Sequence, residues 1–179
     1  IPNESFNRVA TWKPVRESRT VVAINRGFFN RKNIPTLLRA FAKVRFDLPL
    51  VRLKLIGFGS EVDSEGHRWA VRNKLDDRVD FLGDMAYQET QSILSEASLL
   101  VHPSYEESFG MVLIEAMAKG IPVVAGAHSG AVPWVLNNGQ AGLLVDVADA
   151  GSIAVAMTSV LTHESMWQSF ANAGYDYAS

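Results

Sequence analysis

The 179-residue sequence contains no cysteine, which excludes disulfides and thiolate metal ligation and is compatible with a reducing, cytoplasmic setting. No apolar run approaches the ~20 residues needed to span a bilayer, and none opens the chain as a secretory signal would. Neither sign of charge dominates. With 17 Lys and Arg against 19 Asp and Glu the net charge is -2, so the footprint of a nucleic-acid-binding face is missing. Internal repeats and low-complexity segments are absent. The four histidines, at 67, 102, 128 and 163, lack metal-ligand spacing, and no metal site is expected. What remains is ordinary globular composition, 47% hydrophobic and 20% charged, in a length that suits one domain. The chain opens on Ile1-Pro2-Asn3, like a strand entering a turn. It stops inside a helical pattern (Met166, Phe170, Ala173, Tyr177), so both ends read as cuts from something longer.

Strand-like runs alternate with helical periodicity. Thr20 to Ile24 is rich in β-branched residues, and Ile34, Leu37, Leu38, Phe41 and Val44 then recur at helical spacing. Further strands are expected at 51–56, 79–82, 99–101, 122–125 and 142–145. Helices are expected at 62–74, 87–97, 111–118, 152–161 and 164–178. Continuous apolar strands alternating with helices predict a doubly wound α/β domain, a parallel sheet covered on both faces. Ligands of such sheets sit beyond the carboxyl ends of the strands, which directs attention to the loops that follow them.

The stretch from Pro103 to Gly120 is the most informative. A strand runs into a small polar loop and then into a helix, 111–118, that is apolar on nearly every face and is therefore expected to be buried all round. The amides at its start, near Ser108 to Met111, would attract an anion such as a phosphate. Glu115 is the anomaly, the one ionisable residue in an apolar octet, where an unpaired carboxylate costs several kcal/mol. It is either a structural ion-pair partner or an acceptor for ligand hydroxyls. Glu107, beside Glu106, reads by itself as a solvated loop carboxylate. Arg26 and Lys32 follow the first strand and read by themselves as solvated cations. Gly57-Phe58-Gly59 also follows a strand, but Val62 occupies the third glycine position of a dinucleotide fingerprint, which leaves only a tight loop open to close ligand approach. His102 ends a strand beside these loops and reads as a structural histidine.

Glu107 and Glu115 enclose seven residues. With Pro103-Ser104, Glu107-Ser108-Phe109-Gly110, Glu115-Ala116-Met117-Ala118, Gly120, Pro122 to Ala125, and Gly139 before Gly142 to Val145, the order resembles retaining glycosyltransferases of the GT-B fold, family 4. The resemblance covers nearly the whole chain. It implies that Glu115 accepts the ribose hydroxyls of a nucleotide sugar and that Glu107 meets the transferred sugar near its anomeric centre. Backbone amides of Phe109, Gly110 and Met111, beside Ser108, would hold sugar and diphosphate. Arg26 and Lys32 would neutralise the diphosphate leaving group, with Arg31 an alternative to Lys32 because the loop reads one residue long. Gly57 and Gly59 would lie near base and phosphate, and the backbone of Val79 would meet the base. Two departures stand out: Asn25 and Trp134 occupy positions where the family usually has glycine and glutamate.

The resemblance further implies a single nucleotide-sugar-binding domain over 1–179, with 1–18 an interdomain lead-in and an N-terminal acceptor domain lying outside this sequence. The donor would be a UDP- or GDP-sugar, with no cofactor and no metal; the absence of any Asp-x-Asp disfavours the metal-dependent transferase fold. The acceptor would be a glycan or lipid-linked molecule in surface-polysaccharide assembly. The full-length enzyme would be cytoplasmic, at the inner face of the membrane through peripheral association of the other domain. A non-catalytic nucleotide-binding module, and another GT-B enzyme such as a phosphorylase or epimerase, remain alternatives.

Overall fold

A computed structural model of the chain describes residues 10–12 and 19–179. The expected lead-in over 1–18 falls mostly outside the described residues. In its described part, Ala10 is buried and donates its amide to the Lys119 carbonyl at 3.1 Å, and the Trp12 ring meets Trp167 edge-on at 6.0 Å.

Six strands make one parallel sheet: β1 (Thr20–Ile24), β2 (Arg52–Ile56), β3 (Val79–Gly83), β4 (Leu99–His102), β5 (Val123–Gly126) and β6 (Leu143–Val145). Their spatial order is β3-β2-β1-β4-β5-β6. Helices α1 (Ile34–Asp47), α2 (Glu65–Arg72), α3 (Tyr87–Ser95), α4 (Met111–Met117), α5 (Val132–Val135), α6 (Ala150–Thr162) and α7 (Glu164–Ala178) connect and cover it. The expected doubly wound architecture is what forms. Val21, Val22, Leu99, Leu100, Val123 and Val124 are fully buried, because right-handed crossovers put helices on both faces of the central strands. Helix α1 packs on α6, and α4 packs on α7. Trp167 of α7 is buried and donates its indole N–H to the Ser98 carbonyl at 2.7 Å, fixing that helix to the start of β4.

The strand order reverses between β1 and β4. Loops leaving these two neighbours diverge to opposite faces, and the crevice between them is where such sheets bind ligands.

Several boundaries differ from the expected ones for local reasons. Helix α2 covers 65–72 rather than 62–74. Ser64 Oγ accepts the His67 amide at 3.1 Å and starts the helix, while Lys74, with φ +57°, stops it. Helix α6 starts at Ala150 because the Asp149 carboxylate caps the amides of Gly151 and Ser152 at 2.8 and 2.9 Å. Helix α5 was not expected, although Pro133 at its first turn is the usual signature of a helix start. Helix α4 is not buried all round: Leu113, Ala116 and Met117 face the core, whereas Met111 is 58% exposed and Glu115 half-buried.

Candidate functional site

The loop after β1 is built for close approach. Gly57, at the end of β2, has φ +113°, and a Cβ there would lie 2.0 Å from the Asn25 carbonyl oxygen. Glycine alone lets these two strand ends touch. The β1 loop then closes in a 3-10 turn, Asn30–Lys32, ended by Asn33 in the left-handed region. The buried Asn33 amide donates to the Pro103 carbonyl at 3.1 Å and the Val147 carbonyl at 2.8 Å. One side chain thus ties the loops after β1, β4 and β6 into a single rim.

A cleft of about 600 Å³ opens at the switch point. Arg26 and Lys32 reach it from the β1 loop, and Glu107 to Val112 from the β4 loop and α4. Glu115 lies one turn further along α4, and Asp84, Met85, Tyr87 and Gln91 come from the end of β3 and from α3. The β5–α5 loop supports the cleft from behind. The Ala131 amide donates to the Glu107 carbonyl at 3.0 Å, and Gly130, with φ +61°, sits so close that a Cβ would lie 2.4 Å from the same oxygen.

Charge is paired across the cleft. Lys32 Nζ lies 3.3 Å from Glu107 Oε2, with both side chains mostly shielded from solvent. His102 Nε2 lies 3.1 Å from the same oxygen, and the Ser108 amide donates to Oε1 at 3.1 Å. The hydrogen bond from His102, followed by the attraction of Lys32, outweighs burial and holds the Glu107 carboxyl down at about 2. Arg26 faces Asp84 at 3.8 Å, and Arg31 faces Glu106 at 3.8 Å, both in open solvent. On α4, Glu115 accepts the Gln91 amide N–H at 2.6 Å. Tyr87 is raised above the usual phenol range by partial burial first and by the Glu115 charge second. Two buried nitrogens in the cleft wall, Asn25 Nδ2 and His102 Nδ1, have no hydrogen-bond partner among the described residues.

A Rossmann-like sheet with cations after β1 and two carboxylates around α4 narrows the choice of families, and comparison decides it. The chain matches the family described as glycosyl transferases group 1 over residues 10–177. It belongs to that family.

This group 1 glycosyl transferase chain is 33% identical over 149 residues to the lipopolysaccharide core biosynthesis glycosyltransferase LpsE of Rhizobium meliloti, covering 83% of this chain and 42% of LpsE. Among solved structures it resembles sucrose-phosphate synthase from Thermosynechococcus elongatus, with TM-score 0.76 and 32% identity over 93% of this chain and 41% of that one. It also resembles Anabaena HepE in complex with UDP-glucose, with TM-score 0.77 and 28% identity over 92% of this chain and 44% of that one. The chain therefore spans less than half the length of these relatives.

Within the group 1 chain, the cleft brings together most of the residues singled out from sequence: Arg26, Lys32, Gly57, Glu107, Ser108, Phe109, Gly110, Met111 and Glu115 all line it. Of the two basic candidates it takes Lys32, whereas Arg31 points to Glu106 outside. Gly59 does not line the cleft; it packs under the β1 loop, where a Cβ would sit 3.4 Å from the Phe28 nitrogen. Val79 does not line the cleft either. It is the first residue of β3, paired with Leu53, and so stands roughly 13 Å from the strand's carboxyl end. Trp134 is 65% exposed with its ring 6.4 Å from that of Phe109. Sequence reasoning missed Gln91, one turn after Tyr87 on α3, and undervalued His102, whose place at the carboxyl end of β4 was a usable signal. Among the described residues, no helix is long and apolar enough to cross a membrane.

Proposed function

We propose that this chain is the donor-binding part of a glycosyltransferase of family 4 type, which moves a hexose from a nucleoside diphosphate sugar with retention. The observation that carries the reading is that one cleft at the switch point gathers Arg26 and Lys32 with Glu107 and Glu115. Glu115 accepts the ribose hydroxyls, so the base lies beyond it, against Met85 and Tyr87. The diphosphate lies toward Lys32 and Arg26, beside the backbone of Phe109 to Met111. As the bond to the sugar breaks, negative charge grows on the leaving diphosphate and positive charge on the anomeric carbon. The cations of Lys32 and Arg26 oppose the first and the Glu107 carboxylate the second, and Lys32 and Glu107 act from a partly desolvated place where such interactions are strengthened.

HepE, solved with UDP-glucose, favours a uridine nucleotide, and LpsE, named for lipopolysaccharide core biosynthesis, favours a glycan or lipid-linked acceptor. The acceptor site belongs to the remainder of the longer protein, which works in the cytoplasm at the membrane face. Donor contacts come from side chains and backbone with no metal among them. Thermal-shift titration with UDP, GDP, ADP and their sugars tests the proposal. A stabilisation that requires the diphosphate, with no sugar transfer by this chain alone, is the expected result. Flat responses to every nucleotide would leave a protein-interaction module as the better reading.

A further inference from the structure

Glu107 and Lys32 present a conflict. If Lys32 serves the diphosphate, its ammonium must approach phosphate oxygens, yet in the empty cleft it lies 3.3 Å from Glu107 Oε2. Side-chain exposures of 22% and 18% mean that water offers this pair little screening. A partly desolvated carboxylate that loses its cation resists the separation, so the pair competes with donor binding. Arg26 and Asp84 pose no such conflict, because at 83% and 61% exposure solvent replaces either partner.

His102 is placed to resolve it. Its side chain is 3% exposed at the end of β4, and Nε2 lies 3.1 Å from the very oxygen that Lys32 contacts. An ionised carboxylate only accepts, so Nε2 carries the hydrogen. The other ring nitrogen, Nδ1, is buried with no partner among the described residues. Among the described residues, the hydrogen bond to Glu107 is thus the ring's one polar contact. We propose that His102 is a positioning residue that holds the Glu107 carboxylate in place, charged and partnered, while Lys32 swings from Glu107 to the donor's diphosphate. His102 touches neither phosphate nor base; it sets how readily Lys32 is released. This rests on reading the cleft as a diphosphate site.

Calorimetric titration of this chain with UDP and with uridine tests it, in wild type, His102→Leu, His102→Gln, Glu107→Gln and the His102→Leu/Glu107→Gln double variant. Leucine leaves Lys32 as the one side-chain partner of the carboxylate among the described residues, beside the Ser108 amide, and tightens their grip. It should weaken UDP about tenfold while leaving uridine unchanged. Glutamine, whose Nε2 reaches as far as the histidine's, should restore most of that loss. In the Glu107→Gln background there is no ion pair to release, so His102→Leu should have no further effect. Equal losses for UDP and uridine, or equal losses in both Glu107 backgrounds, would mean that His102 only packs, and the proposal falls. Should the leucine variant not fold, ¹⁵N spectra of the wild-type imidazole decide. Hydrogen on Nε2 both with and without UDP supports the proposal, and hydrogen on Nδ1 alone in either state overturns it. Wild-type chain that binds no UDP or GDP defeats the diphosphate reading and this inference together. Normal UDP binding with an unaffected leucine variant defeats this inference alone.

Discussion

Gln91 on α3 donates its side-chain amide to Glu115 on α4 at 2.6 Å, so the one carboxylate of this apolar helix has a partner before any ligand arrives. Glu115 also lines the cleft. This changes what Glu115 does for the empty protein. Gln91 is half-buried and reaches water when its partner is removed, so Glu115→Leu should alter stability by no more than about 1 kcal/mol. The same variant should abolish nucleotide binding. A 2'-deoxy nucleotide should bind wild type about 1.5–3 kcal/mol more weakly, the range for a hydrogen bond to a charged group. Denaturant melts and paired titrations check both halves. A leucine variant that is strongly destabilised yet still distinguishes ribose from deoxyribose would make Glu115 a structural residue.

Glu107 predicts a pH signature. Its carboxyl is held down to about 2 from an ordinary value of 4.5, by His102 first and Lys32 after burial's opposing effect. A depressed folded-state value means that the unfolded chain binds the proton more readily. The stabilisation is therefore complete above about 4.5 and is lost as pH falls from there toward 2. Between pH 5.5 and 3, wild type should lose more thermal stability than Glu107→Gln, which has no proton to gain. Parallel melting curves for the two would show that the carboxylate's partners contribute nothing to folding.

Gly130 holds the backbone of Glu107 and should resist substitution although its own surface is exposed. Gly130→Ala places a Cβ 2.4 Å from the Glu107 carbonyl oxygen at a φ of +61°. A cost of about 1–3 kcal/mol is expected. Because the displaced residue is Glu107 rather than the phosphate loop, binding of a UDP-sugar should fall more than binding of UDP. An alanine variant with wild-type stability would contradict this.

The fold was legible because burial wrote itself into composition. Val21, Val22, Leu99 and Leu100 are apolar on both strand faces, which only a covered parallel sheet requires. Local caps set the helix ends, and Ser64 and Asp149 could have been read as caps from sequence. The site was legible in its charged residues and less so in their partners. Gln91 and Glu115 meet across 24 residues of chain, a contact fixed by how α3 and α4 pack, and nothing local in either segment announces it. Lys32 was preferred over Arg31 only by the 3-10 turn that aims one inward and the other out. Val79 stands apart for a different reason: strand direction places it at the start of β3, away from the cleft.

The account depends most on Lys32 and Arg26 gripping a diphosphate, and the ratio of uridine to UDP dissociation constants reports that directly. For wild type in low salt the ratio should be large. Lys32→Ala should lower it about ten- to a hundredfold, by removing one charge-assisted contact and leaving Glu107 uncompensated beside the phosphates. Arg26→Ala should lower it less, because its charge is screened by solvent. Both effects should shrink as salt rises. A ratio near one in wild type, or equal losses for uridine and UDP in the Lys32 variant, would contradict the assignment of this cleft to a nucleoside diphosphate sugar.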